Sequence, residues 1–295
     1  MKGKKSKLIL EQANTLVGSR STFLKKVRAF FDERNYFEVD PPALSPFASI
    51  DTYIDLFETK DGGFLHSSPE YAMKRLLAEG SGDIYFLGHV FRKEEKGSRH
   101  SPEFTMVEWY KTETDERTFL QEIHQFLALF LGPLAIETLT YDEAYYRFAR
   151  SEKLPPSWNA EEKRHYIWAT SVEPNLGKGL ITMITNFPKE DAALARTTIV
   201  NGKEVAKRYE YYFEGIELAN GFFELTDPIE QKNRFNESNQ KRLLAGKPTL
   251  PIDPHFLAAL EKGLPPNTYG IAAGFDRLLM LALGQERLAD ILLVQ

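Results

Sequence analysis

The sequence contains no cysteine, which excludes disulfide bonds and thiolate metal sites. It also lacks any run of about 18 apolar residues, so no membrane-spanning helix is predicted. The N-terminus begins with basic residues but has no sustained apolar stretch, which is not typical of a secretory signal. Together these absences favour a cytoplasmic protein.

The common nucleotide-binding and hydrolytic motifs are missing as well. No G-x-x-x-x-G-K-[ST] loop is present, no G-x-G-x-x-G motif follows a predicted strand, and no G-x-S-x-G elbow occurs. The six histidines show no H-E-x-x-H spacing, so a zinc site is not expected. If this protein uses nucleotides, it does so without a P-loop.

With 295 residues, of which 42% are hydrophobic and 27% charged, the chain is long enough for one large enzyme domain. Its net charge of −5 does not indicate a protein devoted to nucleic acid, but it leaves a local basic face open. Helices are predicted at 21–35, from Pro69 to Gly80 with Ser68 as N-cap, and at 115–131, 141–149, 159–170, 228–245, 254–262 and 276–284. Strands are predicted at 83–92, 103–112, 180–187, 206–217, 221–226 and 269–275. Because the order has no regular βαβ rhythm, we predict an α+β fold with mostly antiparallel strands.

The first informative segment is FRKEEKGSRHSPEFTMVEWY, residues 91–110. Strand alternation places Phe104, Met106, Glu108 and Tyr110 on one face. A flat ring, a carboxylate and a phenol suit a ligand with an aromatic base and a cationic end. The alternative is a structural ion pair that satisfies Glu108, because an unpaired buried charge costs several kcal/mol.

Basic residues flank the loop between the two strands of this hairpin. Arg92 and Arg99 lie there with Lys93, Lys96 and His100. The planar fork of arginine matches phosphate oxygens, so the cluster is compatible with a phosphate site. A solvated hairpin tip is the alternative.

The second segment is RYEYYFEGIELANGFFEL, residues 208–225, which is rich in glutamate. Glu210 and Glu217 are seven positions apart, so a regular strand would send them to opposite faces. They converge only if the chain turns or bulges near Gly215. Convergent carboxylates suit Mg²⁺ held jointly with substrate phosphates. Glutamates that face solvent on an edge strand are the alternative.

The third segment is YGIAAGFDRLLMLALG, residues 269–284. Small residues at 270–274 let another group approach the backbone closely. Asp276 is expected to cap the following helix. Arg277 then lies in the first turn, where a cation opposes the helix dipole at a cost under about 1 kcal/mol. A nearby anion and a merely tolerated arginine both fit this pattern.

Taken together, the three segments resemble the signature motifs of class II aminoacyl-tRNA synthetases. The first motif is FFDERNYFEVDPPALS with Pro42, the second is FRKEE…RHSPEFTMVEWY, and the third is GIAAGFDRLLM. Within the class, SPEYAMKRLL, RHSPEFTMVEWY and NGFFEL are similar to lysyl-tRNA synthetases. The resemblance runs from about residue 20 to the C-terminus. It implies the class II catalytic domain, a mostly antiparallel sheet flanked by helices.

Lysyl-tRNA synthetases carry an anticodon-binding OB-fold ahead of the catalytic domain. Only about twenty residues precede the first predicted helix, too few for a five-stranded barrel. We therefore expect a basic N-terminal extension at 1–20, a catalytic domain at 21–295 and no OB-fold. The chain then resembles more closely the truncated paralogs that ligate (R)-β-lysine to elongation factor P, as VEPNLGK and YEYYFEGIELANGFFELTD also indicate. Ala272 stands where lysyl-tRNA synthetases have glycine, and its methyl group favours an amine displaced to the β-carbon.

The resemblance also implies roles for individual residues. Arg92 and Arg277 are expected as the catalytic pair on the α- and γ-phosphates. The expected ATP-binding residues are Arg92, Lys93, Glu94, Arg99, Ser101, Phe104, Glu217, Leu218, Gly274 and Arg277, with Ser101 where related sequences often have asparagine. The expected residues around the lysine-like substrate are Ser68, Pro69, Glu70, Glu108, Tyr110, Asn220, Glu224 and Ala272. Mg²⁺ is expected on Glu210 and Glu217.

The implied chemistry is a two-step ligation that uses ATP and Mg²⁺. The substrate carboxylate attacks the α-phosphorus, pyrophosphate leaves, and a lysine ε-amine of elongation factor P then attacks the adenylate. That amine has an ordinary pKa of about 10.4 and must first lose a proton, for which the sequence identifies no base. A homodimer is expected, because the first motif normally builds the subunit interface in this class. The alternatives are transfer of lysine to tRNA without an anticodon-binding domain, which makes tRNA an unlikely but open partner, and a non-catalytic synthetase-like binding protein.

Overall fold

The chain is seen in a computed structural model that describes residues 2–93, 97–151 and 153–292, with side chains from residue 15 onward. The helices are α1 (Lys2–Asp32), α2 (Glu70–Ala78), α3 (Glu116–Leu131), α4 (Tyr141–Phe148), α5 (Ala160–Ile167), α6 (Pro228–Leu244), α7 (Pro254–Lys262) and α8 (Phe275–Ala282). The strands are β1 (Phe37–Glu38), β2 (Leu44–Ser45), β3 (Phe64–Leu65), β4 (Ile84–Phe91), β5 (Glu103–Lys111), β6 (Ile136–Thr140), β7 (Ile181–Thr185), β8 (Phe187–Pro188), β9 (Thr197–Val200), β10 (Lys203–Ala206), β11 (Arg208–Phe213), β12 (Ile216–Phe223) and β13 (Tyr269–Gly274). A π-helix covers Trp168–Val172, and short 3-10 helices cover Glu173–Asn175, Lys189–Asp191 and Leu288–Asp290.

A sheet of eight strands forms the centre, in the order β1-β4-β5-β13-β12-β11-β7-β6. The outer pairs β1–β4 and β6–β7 are parallel, whereas the pairs between β4 and β7 are antiparallel. Smaller sheets consist of β8-β10-β9 and β2-β3. The prediction of an α+β fold with a mostly antiparallel sheet is confirmed.

Local sequence signals explain where several helices begin. Asp227 and Asp253 cap α6 and α7, and each is followed by proline at the first helical position. Thr140 and Asn159 form capping boxes with the glutamates three residues later, which starts α4 and α5. The capping side chains accept hydrogen bonds from the first backbone N–H groups of each helix, which would otherwise lack partners.

The first helix is longer than predicted. It begins at Lys2 rather than Ser21 and passes through the expected boundary at residue 20 without a break. At that boundary, Arg20 donates to Asp276 Oδ1 at 2.6 Å and to Thr105 Oγ1 at 2.7 Å. These contacts join α1 to β5 and α8. The division into 1–20 and 21–295 stays a prediction.

The main core lies between the sheet and helices α1, α3 and α8. The predicted apolar face of α1 contributes the buried residues Val27, Phe30 and Phe31. Phe31 stacks on Tyr85 at 4.3 Å between ring centroids, and Phe126 of α3 lies 4.8 Å from Trp109. This aromatic packing fixes β4 and β5, whose other face lines the candidate site.

Two predicted helix caps are wrong. Pro69 rather than Ser68 occupies the N-cap position of α2, although Ser68 Oγ still accepts a hydrogen bond from the Glu70 N–H at 3.0 Å. Gly274 rather than Asp276 occupies the N-cap position of α8. The Asp276 carboxylate instead accepts the Thr105 N–H at 2.7 Å and the Arg20 guanidinium. A long-range ion pair has thus replaced the local cap.

The predicted strand at 206–217 is also wrong in extent. It comprises the end of β10, all of β11, and a turn that leads into β12. Glu214 and Gly215 form that turn with φ of 50° and 67°, a conformation in which glycine is unstrained.

Among the described residues, no helix combines the length and the apolar character that a membrane span requires.

Candidate active site

Strands β5, β13 and β12 form the floor of a cavity of about 420 Å³. As alternation predicts, Phe104, Met106, Glu108 and Tyr110 all line it. Glu108 pairs with Ala272 of β13, which in turn pairs with Asn220 of β12. The antiparallel register therefore brings residues from the second and third segments beside those of the first.

Most of the predicted site residues line this cavity. They are Ser68, Glu70, Arg92, Arg99, Ser101, Phe104, Glu108, Tyr110, Glu217, Leu218, Asn220, Glu224, Ala272, Gly274 and Arg277. Residues from widely separated segments thus share one cavity.

Three predicted site residues are placed otherwise, and a fourth is not among the described residues. Pro69 occupies the N-cap position of α2 and is not among the residues that line the cavity. Lys93 is exposed, and its backbone N–H donates to Asp55 at 2.8 Å. Glu210 lines a second, neighbouring cavity. Glu94 lies outside the described residues.

Acidic side chains converge at one end of the cavity. Glu108 is 2% exposed and accepts hydrogen bonds from Ser68 Oγ and the Tyr110 hydroxyl, both at 2.7 Å. Burial and then the Glu70 carboxylate raise the pKa of Glu108 to about 7. Burial likewise raises the pKa of Glu224 to about 8, although Lys74 opposes the shift. Glu108 therefore has polar partners. The carboxylates at this end of the cavity nevertheless carry more negative charge than their surroundings stabilise.

A fully buried lysine lies within this acidic group. Lys74 Nζ is 2.6 Å from Glu70 Oε1 and 2.5 Å from Glu224 Oε2. Burial lowers the pKa of Lys74, but Glu224 and Glu70 outweigh it and the net direction is upward. Sequence reasoning missed Lys74. Its position four residues after Glu70 in one helix predicts an ion pair between those two residues. No sequence signal predicts its second partner, Glu224, which directly follows β12.

Arginines converge at the other end. Arg277, in the first turn of α8, donates to the Glu217 carbonyl at 3.0 Å and has His100 Nε2 at 2.7 Å. Arg99 donates to the Gly215 carbonyl at 3.4 Å. The Arg92 guanidinium lies 5.1 Å from the centroid of the Phe104 ring. This end is suited to a polyanion next to an aromatic base.

The predicted turn near Gly215 is present, together with a register shift between Tyr211 and Tyr212. The Glu210 carboxylate forms an ion pair with Arg208 at 2.5 Å and accepts the Tyr212 hydroxyl. Burial raises the pKa of Glu210, which the nearby Glu217 raises further. The predicted pair of glutamates thus interact, but Arg208 neutralises one of them.

A third carboxylate, Glu173, adds to this pair. Burial, then Glu217 and Glu210, raise the pKa of Glu173 to about 7. Carboxylate oxygens suit Mg²⁺, but among the described residues the ligand atoms of Glu173, Glu210 and Glu217 do not all lie within 4.8 Å of one another. Sequence reasoning missed Glu173, since VEPNLGK offered only a lone acidic residue in a short loop.

Close packing makes one glycine necessary at the acidic end. A Cβ at Gly270 would lie 2.3 Å from Glu224 Oε1 and 2.3 Å from Tyr110 Cε1. No side chain fits at that position without moving both groups. The small residues predicted at 270–274 therefore do allow a close approach, here by the acidic side chains themselves.

Among the described residues, one group of three has metal-ligand atoms within 4.8 Å of one another, namely Glu161, His165 and Asp191. Glu161 pairs with Lys241 at 2.7 Å, and Asp191 pairs with Arg164 at 3.0 Å and His165 at 2.9 Å. Lys241 and Arg164 already pair with the two carboxylates, and His165 lies within hydrogen-bond distance of Asp191, so the group forms a polar network without a metal.

Comparison with known proteins agrees with this geometry. The family of class II tRNA synthetases for D, K and N matches residues 4–294. The chain is 40% identical to the elongation factor P–(R)-β-lysine ligase of Edwardsiella ictaluri and 41% identical to that of Photorhabdus laumondii subsp. laumondii, with 92% of each chain covered. It is 40% identical to the ligase of the same name from Vibrio cholerae serotype O1, with 91% of each chain covered.

Proposed function

Because the chain belongs to the class II tRNA synthetases of the D, K and N type, which are ATP-dependent amino acid ligases, we propose that it activates (R)-β-lysine with ATP and transfers it to a lysine of elongation factor P. The observation that carries the proposal is the convergence of Arg92 and Arg277 with Glu108 and Glu224 on one cavity. One end suits a triphosphate and the other suits an ammonium group.

ATP binds at the arginine end. Phe104 stacks on adenine, Arg92 contacts the α-phosphate, and Arg277 contacts the γ-phosphate with help from Arg99. Hydrogen bonds to the backbone hold Arg277 and Arg99 in place before ATP arrives. Such preorganised cations stabilise the charge that develops on the phosphates during attack by the substrate carboxylate.

The amino acid binds at the acidic end, with its ammonium groups near Glu108 and Glu224. Ser68 and Tyr110 fix the orientation of the Glu108 carboxylate. Burial and then the neighbouring carboxylates raise the pKa values of these glutamates, and an incoming ammonium supplies the counter-charge that favours their ionised forms. Ala272, which pairs with Glu108 across the strands, narrows the pocket near the substrate backbone and favours the β-amine.

Glu217 and Glu210, with Glu173 beside them, hold Mg²⁺ in this proposal. The ion supplies charge neutralisation on the phosphates. Arg208 must move away from Glu210 for that residue to bind the ion directly. A homodimer is part of the proposal, and Phe37 and Leu44 of the first motif, 67% and 53% exposed, supply apolar surface for it. The lack of cysteine fits a cytoplasmic location.

The test is ATP–pyrophosphate exchange with α-lysine and (R)-β-lysine, followed by transfer of labelled amino acid to elongation factor P or to tRNA. We expect exchange to be strongest with (R)-β-lysine and the label to appear on the protein. Arg277→Ala should reduce exchange by about 10²-fold or more, because it removes a preorganised charge from the phosphates. The exposed Arg150→Ala is the matched control and should leave exchange unchanged.

Comparable exchange with α-lysine would remove the preference for the β-isomer. Label on tRNA rather than on elongation factor P would identify tRNA as the acceptor of the amino acid. No exchange with any amine-bearing amino acid would contradict the proposal as a whole.

A further inference from the structure

A second cavity of about 990 Å³ adjoins the candidate active site. Six residues line both cavities: Ile50, Asp51, Tyr53, Ala193, Leu194 and Arg208. A group that enters the second cavity is therefore separated from the adenylation site by one layer of side chains. The mechanism proposed above needs an approach of this kind, because ATP and the amino acid occupy the two ends of the first cavity.

The second cavity carries surplus negative charge. Eight carboxylate residues line it, against four lysines and arginines. Each of these four cations already pairs with a carboxylate of the same cavity, at 2.5 Å for Arg208–Glu210, 2.7 Å for Lys241–Glu161 and 3.2 Å for Lys189–Glu204, and in the close contact of Arg234 with Glu230. Much of the surplus falls on Asp51 at the shared wall and on the exposed Glu190 and Glu237.

A buried amide points to a ligand independently of the charge. Gln231 of α6 lines the cavity and is 1% exposed. Within the described part of the chain, neither its side-chain oxygen nor its side-chain nitrogen has a hydrogen-bond partner. An unsatisfied buried amide costs stability, so its persistence is explained by a ligand that satisfies it. The backbone of an extended peptide offers both the donor and the acceptor that this amide needs.

Resting on the proposed function, we infer that the second cavity docks the lysine-bearing segment of the acceptor protein. The acidic lining attracts a lysine-bearing peptide and repels the phosphates of a tRNA 3′ end. The acceptor ammonium passes Asp51 at the shared wall and loses one proton to solvent water, and the nitrogen releases its second proton to solvent once the amide has formed. Its nitrogen then attacks the acyl carbon of the adenylate, the new C–N bond forms, the bond from that carbon to the phosphate oxygen breaks, and AMP leaves.

The test reverses the charge of two residues that line the second cavity but not the adenylation site. We expect Glu190→Lys combined with Glu237→Lys to lower kcat/KM for transfer to elongation factor P by about tenfold, through loss of electrostatic attraction. Exchange of pyrophosphate should stay within about twofold of the parent, since neither residue lines the first cavity. The matched control is Glu113→Lys combined with Glu261→Lys, the same charge change on exposed residues outside both cavities. It should leave both steps unchanged.

Gln231→Met tests the amide with little change in volume. We expect the KM for elongation factor P to rise several-fold with exchange unchanged, because the variant removes only the donor and acceptor. Normal transfer by the Glu190/Glu237 variant would overturn the docking inference and leave the proposed function intact. Equal loss of transfer in the Glu113/Glu261 control would also overturn it. Failure of exchange in the parent protein would instead remove the proposed function.

Discussion

The ammonium of Lys74 lies 2.5 Å from Glu224 Oε2, in the buried acidic end of the candidate site. Three carboxylates meet there, those of Glu70, Glu108 and Glu224, and Lys74 neutralises only one of them. A diamino acid brings two ammonium groups, which match the remaining two negative charges. The lysine of the enzyme and the amines of the substrate together balance the site.

Lys74→Met tests whether this ion pair supports the fold. Removing one partner leaves Glu224 buried and uncompensated, so we expect the free energy of unfolding to fall by about 3–5 kcal/mol. Denaturant unfolding of the empty protein measures the loss. The double variant Lys74→Met/Glu224→Gln should recover part of it, because no unpaired charge remains on that side. Equal stability of the parent and Lys74→Met would contradict the role of the pair.

The raised pKa values of the acidic end predict a pH dependence. Those of Glu108 and Glu224 are about 7 and 8, against an ordinary 4.5. The empty folded protein binds these protons more tightly than the unfolded chain does. Their contribution to stability is therefore fully present below about pH 4.5 and is lost as pH rises through 7 and 8. Substrate ammonium groups favour the ionised glutamates, so affinity should change in the opposite direction.

We expect the KM for the amino acid, measured by pyrophosphate exchange, to fall between about pH 6 and pH 8.5 as these glutamates ionise. Glu108→Gln should have a higher KM and a flatter profile, since one titrating group is gone. Glu237→Gln, at an exposed position outside this cavity, is the control and should keep the parent profile. A KM that rises over this range would contradict the assignment.

The close packing around Gly270 gives a sharper test of the same pocket. Gly270→Ala places a methyl group 2.3 Å from both Glu224 Oε1 and Tyr110 Cε1, so at least one of them must move. We expect the KM for the amino acid to rise by about tenfold or more, because a small misplacement of binding groups is costly. Gly18→Ala is the control, as its added methyl group meets no atom within 4 Å. Equal KM values for the two variants would contradict the predicted crowding.

Sequence reasoning succeeded where geometry follows from a short repeat. The alternation in β5 places Phe104, Met106, Glu108 and Tyr110 on one face whatever the rest of the fold does. It also identified Glu210 and Glu217 as convergent only through a turn near Gly215, which the structure contains. The resemblance to a known family then ordered the three segments around one site.

It failed where a contact depends on the tertiary fold. Asp276 has the position of a local cap, but its carboxylate binds Arg20, 256 residues away in sequence. Glu224, which directly follows β12, meets Lys74 of α2 only in the folded chain. Glu173 lies in a short 3-10 helix with no periodic signal, where burial and then the charges of Glu217 and Glu210 raise its pKa. No local pattern encodes these meetings, since each depends on how distant elements pack.

The three-carboxylate group predicts a specific effect on the metal. Glu173→Gln removes a half-buried carboxylate whose pKa is raised by burial and then by the charges of Glu217 and Glu210. We expect the Mg²⁺ concentration for half-maximal pyrophosphate exchange to rise by about tenfold, the scale found when a residue that supports metal ligands is lost. The rate at saturating Mg²⁺ should be closer to that of the parent, because the phosphate-binding arginines are untouched.

Glu214→Gln is the matched control for this measurement. Glu214 lies in the same turn, but its carboxylate accepts the Gly179 N–H at 2.9 Å and lies 3.5 Å from Lys178, both outside the first cavity. Its loss should leave the Mg²⁺ requirement unchanged. An equal rise in the Mg²⁺ requirement of Glu173→Gln and Glu214→Gln would contradict the prediction. It would show that the net charge of the protein, and not the position of Glu173 near Glu210 and Glu217, sets the affinity for Mg²⁺.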